Sequence, residues 1–308
     1  MGGVTFCGGV DASMQVRNVA RRIERYSGSH EFSQGELEGF QVDLCEAEQR
    51  LLKGLYGGVR VSKDRVQDRT EELFGDLGFY WSAGQVWRDL LTAIGIKLGG
   101  RSAEIGCGVV PKVGGALHYL EFEGILDLVD ISDESLRSAS RWLSLLGCRF
   151  PHNSVRSHLF DLSHDLYEGI FANHVIDDLL LNEHCLRTEC SADYLYRDGS
   201  RYRETWQEIS RYSPWIPSFV EALVAKVVSA LTPGGRVVMC DYPSHSHKAL
   251  GLENVTPLIR DVQDLIRKGL FDRGLRSLEA LVPLHLESDR FELRAGDVIA
   301  FQKKEAAS

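Results

Sequence analysis

Three short stretches concentrate the residue types that can do chemistry. In RSAEIGCGVVPKVGG, residues 101–115, an apolar run carrying one acid, Glu104, breaks into Gly106, Cys107 and Gly108 and then into the start of a helix. Glycines at such a turn let the backbone approach a ligand closely, a property that serves phosphates and nucleotide-type cofactors alike. Asp130 stands 22 positions past Gly108, at the end of the apolar run ILDLVDIS. A carboxylate at that spacing can accept hydrogen bonds from a ribose diol. Asp161 follows in FDLS, where it could accept an exocyclic amine while the Leu162 N–H meets a ring nitrogen. The third stretch, NHVIDDLLLNEHC, crowds Asn173, His174, Asp177, Asp178, Glu183 and His184 into residues 173–184. His174 titrates near neutrality and could act as a base or orient an acceptor. The acids could hold a cationic amine or guanidine through charge-assisted hydrogen bonds. His174, Asp177, Asp178 and His184 have no recognised metal-ligand spacing, so no metal is expected.

These residues need elements to hold them. After residue 100 short apolar runs at 102–108, 125–132, 155–163, 169–178, 234–243 and 291–304 alternate with helix-length stretches at 112–121, 133–146, 218–231 and 254–269. Strands alternating with helices give a mostly parallel sheet covered on both faces, with the closing strands expected to run antiparallel. Acids at strand ends then face the crevice in which such sheets bind ligands. Residues 11–98 read instead as helices, bounded by cap-type residues and glycines. One opens at Ser82 with Gln85 in capping-box spacing. Just before it lies FYW, residues 79–81, whose Tyr80 and Trp81 could form a pocket wall. The aromatic stretch 192–217 places Tyr202 and Trp206 among arginines, either to enclose a cation or ring or as the packed face of an amphipathic helix. His245 and His247 in DYPSHSHKALG could add a rim.

The chain has 308 residues, 44% of them hydrophobic, enough for a large buried core. Its net charge of −9 argues against attraction to nucleic acid, and no apolar run approaches the roughly 18 residues of a membrane span. The seven cysteines are scattered, with no C-x-x-C pair, as suits reduced thiols. The start has neither a basic nor an apolar leader region, so a cytoplasmic protein is expected.

The glycine loop lacks the full dinucleotide pattern, since Pro111 stands three past Gly108 and has no N–H to offer a pyrophosphate. The ordered set AEIGCG, LVDIS, FDL, GIFANHVIDDLL and LTPGGRVVMCDYP resembles the motifs of class I S-adenosylmethionine-dependent methyltransferases across residues 80–304. Glu104 replaces their commoner aspartate, and Val110 stands where many members have a third glycine. The resemblance implies an α/β, Rossmann-like doubly wound, mostly parallel seven-stranded sheet over 99–308, covered by an N-terminal all-helical cap over 1–98. It implies S-adenosylmethionine as cofactor and S-adenosylhomocysteine as product. The backbone of Gly106, Cys107 and Gly108 would approach the methionyl end, Asp130 the ribose, and Asp161 and Leu162 the adenine. Glu104, Ile131 and Asn173 complete that expected site. The acceptor is expected to be a small molecule, first an amine or guanidino nitrogen, held by His174, Asp177, Asp178 and Glu183 with Tyr80, Trp81, Tyr202 and Trp206 around it. An oxygen or carbon acceptor, an aminopropyl transfer and a noncatalytic ligand-binding role are the competing readings. Neither nucleic acid nor membrane is an expected partner, while a homodimer through the helical N-terminal region is.

Overall fold

The computed structural model describes residues 77–305, apart from 98, 109, 191–194, 196–198, 244–246, 248–249 and 289–290. The expected helices before residue 77, and the dimer expected through them, lie outside the described residues, as does His245. Helix α1 (Leu77–Ala93) leads into β1 (Arg101–Ile105), α2 (Lys112–Tyr119), β2 (Ile125–Asp130), α3 (Asp133–Leu145) and β3 (His152–Arg156). There follow β4 (Tyr167–Asn173), α4 (Ile176–Thr188), α5 (Gly199–Arg211), α6 (Ile216–Ala230), β5 (Leu231–Cys240) and α7 (Val255–Asp272). The chain closes with β6 (Arg276–Ser277), β7 (His285–Ser288), β8 (Phe291–Arg294) and β9 (Val298–Gln302).

The main sheet has seven strands in the order β3-β2-β1-β4-β5-β9-β6. β1 to β5 pair in parallel, and β9 runs antiparallel to both β5 and β6. The chain winds outward from β1 through β2 to β3 and then returns to place β4 on the other side of β1. The order therefore reverses between β1 and β4, and their carboxyl ends flank the crevice. Both faces are covered, which is why the strands read as near-continuous apolar runs. The period of two survives in the sorting of side chains. Val238 and Cys240 enter one core with α1, α2 and α3, whereas Val237 and Met239 enter the other with α4 to α7.

Four boundaries differ from the sequence reading. α1 begins at Leu77 and runs through Ser82, so Ser82 is no cap but a buried mid-helix residue, and residues 79–81 belong to the helix rather than to a junction. The third strand ends at Arg156, and FDLS lies on a 3₁₀ turn at Leu159–Asp161, because Leu159 and Leu162 bury at a spacing of three rather than alternating. The fourth strand ends at Asn173. His174 adopts a left-handed φ of 56°, and Ile176 opens a 13-residue helix, so the acids after it lie on α4. The run 291–304 divides, its first part pairing with β7 in a separate two-stranded sheet. Among the described residues no helix is long and apolar enough to cross a membrane.

Candidate active site

The crevice is built first by two acids that hold backbone N–H groups around the glycine turn. α2 begins at Pro111, which makes no side-chain cap bond. Its orphan donors are met from β1, where Glu104 Oε1 accepts from Val113 N–H at 3.1 Å and Oε2 from Gly114 N–H at 2.8 Å. Burial pushes Glu104 up to about 7, against those two hydrogen bonds. Glu104 therefore pins the loop between β1 and α2 from beneath, and Cys107 is buried in the core with it. Gly106 and Gly108 hold φ of 59° and 60°. A Cβ on Gly106 would come within 2.5 Å of Val175 Cγ1, so glycine lets the β1 turn pass beside the β4 turn. A Cβ on Gly108 would meet nothing within 4 Å, leaving open space over that backbone.

Asp130 lies opposite. Its Oδ2 accepts from Gly108 N–H at 3.1 Å and its Oδ1 from Ser132 N–H at 2.9 Å. Ser132, not Asp130, caps α3, accepting from Ser135 N–H. Burial raises the Asp130 pKa against its backbone donors. Each carboxylate oxygen retains a lone pair for a further donor. Ile131 beside it is 47% exposed, a bare apolar side chain at the strand end. Asp161 is exposed at the end of its turn, while the Leu162 side chain is buried and its N–H bonds Leu159 O at 3.3 Å. An adenine ring nitrogen would have to compete with that internal bond.

The β4 and β5 ends form the second half. Asn173 is buried, accepting from Trp87 Nε1 at 2.8 Å and donating to the Tyr242 hydroxyl at 3.2 Å. His174 N–H bonds Cys240 O at 2.6 Å, tying the two strand ends together, and its ring meets that of Tyr242 edge-on at 4.6 Å. α4 starts at Val175, which supplies no cap, and Asp241 Oδ2 accepts from Ile176 N–H at 2.8 Å in its place. A cleft opens here, lined by His174, Asp177, Asp241, Tyr242, His247, Arg260 and others.

Charge in this cleft is unevenly matched. His174 Nδ1 lies 3.4 Å from Asp177 Oδ1. Burial disfavours the imidazolium, but Asp177, with Asp241 and Asp178 behind it, overcomes that and lifts His174 to about 10. Burial works against the Asp177 carboxylate in turn, and His174 outweighs it, holding Asp177 below its usual range. Each partner thus favours the other's charged form, an arrangement that suits His174 to the second of its expected roles, orienting an acceptor, better than to the first, taking a proton. Asp241, 3% exposed, is pushed by burial up to about 7, with His174 pulling it down and Asp177 pushing it further. His247 Nε2 sits 4.0 Å from Asp177 Oδ2 and 3.1 Å from the Tyr202 hydroxyl, and burial keeps its pKa low.

Of the residues expected around the acceptor, His174 and Asp177 meet in the cleft. Asp178 is exposed one step along α4, and Glu183 pairs with Arg187 at 2.6 Å, so neither lines it. The cause is the α4 helix, which turns successive side chains by about 100° and so spreads Asp177, Asp178 and Glu183 around its axis. His184 faces Glu208 on α5 at 3.6 Å, so the four residues weighed as metal ligands are not brought together. Tyr202 and Trp206 lie buried on α5 against His247, as core behind the cleft rather than its wall. Tyr80 and Trp81 lie in α1, and their side chains are outside the described residues. The residues missed are Asp241, Tyr242, Arg260 and Gln263. Asp241 carried the signal used for Asp130, an acid directly after a buried strand; Arg260 and Gln263 carried none.

No family model matches the chain, and no match is found among curated proteins. Solved structures similar to it include the N-methyltransferase NodS from Bradyrhizobium japonicum WM9, at 14% identity over 72% of this chain and 94% of that one, with a TM-score of 0.39. Another is magnesium protoporphyrin IX methyltransferase (ChlM) from Synechocystis PCC 6803 with bound SAH, at 15% identity, 84% and 95% coverage, and a TM-score of 0.45. A third is a possible exported protein from Bordetella parapertussis, at 15% identity, 96% and 97% coverage, and a TM-score of 0.41. The strand order and the glycine loop at its switch point give the chain the Rossmann-like fold that the resemblance to class I methyltransferases implies.

Proposed function

We propose that the chain is an S-adenosylmethionine-dependent methyltransferase that methylates a nitrogen of a small molecule. The observation that carries this reading is the adjacency of two half-sites at one switch point. The open backbone of Gly106–Gly108 with the Asp130 carboxylate lies on one side, and the cleft at the β4 and β5 ends lies on the other. The residues fit the cofactor: open space over Gly108, acceptor capacity left on Asp130 for two hydroxyls, and the exposed Ile131 as an apolar surface for a base. When bound, S-adenosylmethionine supplies an electrophilic methyl group on a sulfonium.

The chain's own residues do the rest by position. Asn173 and Tyr242 fix the β4 end, and the His174 N–H bond to Cys240 O fixes it against β5. Asp241 faces the cleft with one oxygen held by Ile176 N–H. A buried carboxylate with so few donors is costly, and an ammonium is its natural complement. Displaced from its usual range to about 7, Asp241 can also take the proton that an amine must lose before its lone pair is free. Holding that nitrogen in line with the methyl is the larger contribution.

Radiolabelled methyl transfer to a panel of amines, phenols and carboxylic acids tests the reading. Label on an amine that is lost in Asp241→Ala supports it. Label only on an oxygen acceptor, or undiminished transfer by the folded variant, contradicts the nitrogen assignment.

A further inference from the structure

The charges around the cleft do not cancel within it. His174 is matched by Asp177 at 3.4 Å. Asp241 is left as a buried acid with one backbone donor on its carboxylate. On the facing helix α7, Arg260 lines the same cleft at its exposed rim. Among the described residues its guanidinium makes no hydrogen bond and no ion pair within 4.0 Å, and the nearby charge it feels is that of Asp297, which also lines the cleft. Other arginines of the same region are used up: Arg267, two turns further along α7, holds Asp264, Glu279 and two backbone carbonyls.

α7 is tied to the β5 end beside Asp241. Gln263 Nε2 donates to Asp241 O at 3.0 Å, fixing the helix to the β5 end. Arg260 stands three residues before Gln263, roughly 4.5 Å along the axis, on the same side of the helix. Thr256, one turn earlier again, also lines the cleft. Asp241 at the β5 end and Arg260 on the facing helix therefore line one cleft, an acid on the buried side and a guanidinium at the exposed rim. A simple ammonium would complement Asp241 and leave Arg260 at the rim with Asp297 alone as a nearby opposite charge.

We propose that the acceptor is a small zwitterion, its amine held by Asp241 and its anionic end, a carboxylate or a phosphate, held by Arg260 at the cleft mouth. This rests on the methyltransferase reading for the amine end and adds Arg260 as the residue that sets specificity. The guanidinium fork suits either anion, since both present paired oxygens. Arg260 takes no part in methyl transfer itself; it holds the far end of the molecule and so raises the occupancy of the aligned pose.

Calorimetric titration of the S-adenosylhomocysteine-saturated protein with glycine, β-alanine and 2-aminoethyl phosphate, each against ethylamine and ethanolamine, tests this. At least one of the three zwitterions should bind ten or more times tighter than either simple amine, and comparison of the carboxylates with the phosphate identifies the anion. Arg260→Gln should bring the zwitterion and ethylamine dissociation constants within about threefold of one another. Arg260→Lys should restore part of the preference, and the variants' affinity for S-adenosylhomocysteine reports that they are folded. Equal binding of zwitterions and simple amines, a preference that survives in Arg260→Gln, or no binding of any zwitterion overturns the proposal while leaving the cofactor reading intact. Failure of S-adenosylhomocysteine to bind overturns the methyltransferase reading instead. The same titrations on the cofactor-free protein then still decide whether Arg260 selects a zwitterion.

Discussion

Asp127 and Asp241 are both almost fully buried, at 1% and 3% exposure, and both belong to parallel strands or the residue directly after one. Their surroundings differ in the number of donors. Asp127 lies within β2 toward the end of the sheet where Arg101 and Tyr167 begin their strands. It accepts from Arg101 Nε at 2.8 Å and Nη2 at 3.1 Å, from Asn153 Nδ2 at 2.8 Å and from the Tyr167 hydroxyl at 3.0 Å. Asp241 stands at the opposite, carboxyl end with a single backbone donor on its carboxylate and a cleft before it. A buried acid saturated with donors is part of the scaffold; one left short of them beside a cleft is held ready for something that arrives. The burial cost is met at folding in the first case; under the proposed function a ligand meets it in the second.

The comparison breaks most visibly in stability. Asp127→Ala removes four hydrogen bonds and leaves the buried Tyr167 hydroxyl without its acceptor, so urea denaturation should show a loss of about 3 kcal/mol. Asp241→Asn should do the reverse of destabilising at high pH. The folded-state pKa of Asp241 is raised from 3.8 to about 7, so the folded protein binds more protons than the unfolded one in that interval, and wild-type stability falls as pH rises through it. Asparagine keeps an oxygen for Ile176 N–H without the buried charge. Thermal melts at pH 8 should place the variant level with or above wild type, while amine methylation drops at least about tenfold, or ~1.4 kcal/mol. A melt well below wild type would make Asp241 a second Asp127.

His174 sharpens the contrast at higher pH, with stability again falling as pH rises. Its folded pKa is raised from 6.5 to about 10, so the stability it brings is full below about 6.5 and is lost as pH rises through 10. Wild type should lose stability between those limits relative to His174→Gln, measured by denaturant midpoints across the range. A pH-independent difference would mean that His174 and Asp177 are not an ionised pair. The smallest effect belongs to the two acids outside the cleft. Asp178→Asn and Glu183→Gln should each leave the acceptor's specificity constant within about twofold, or ~0.4 kcal/mol.

Those two residues also show where sequence reading stops. The elements around the cofactor site were legible because each rests on a local signal: a glycine turn after an apolar run, an acid at a strand end, a Pro-Gly-Gly turn into β5. Six apolar runs follow from such signals; the count of seven strands came from the family resemblance, and the two-residue β6 and the strand order carried no local signal. GIFANHVIDDLLLNEHC was harder, because an apolar strand flows into an apolar helix with no cap residue between them. The break is made by His174 in a left-handed conformation and by Asp241, which caps α4 from 65 residues away. A cap supplied by another strand leaves no trace in the local pattern, so Asp178 and Glu183 read as neighbours of Asp177 when a helix turns them away. The aromatic stretch misled differently: Tyr202 and Trp206 repeat at a helical spacing of four that marks core as readily as a pocket wall, and they are core.

The central claim is that the turn Gly106–Gly108 and Asp130 form the cofactor half of a methyltransferase site, and S-adenosylhomocysteine titrated calorimetrically into wild type and Asp130→Ala tests it most directly. On the proposed function Asp130 gives the ribose a charged acceptor worth roughly 1.5–3 kcal/mol, so wild type should bind and the variant should bind about ten- to a hundredfold more weakly while keeping its fold. No binding by wild type, or equal binding by a folded Asp130→Ala, would contradict the account.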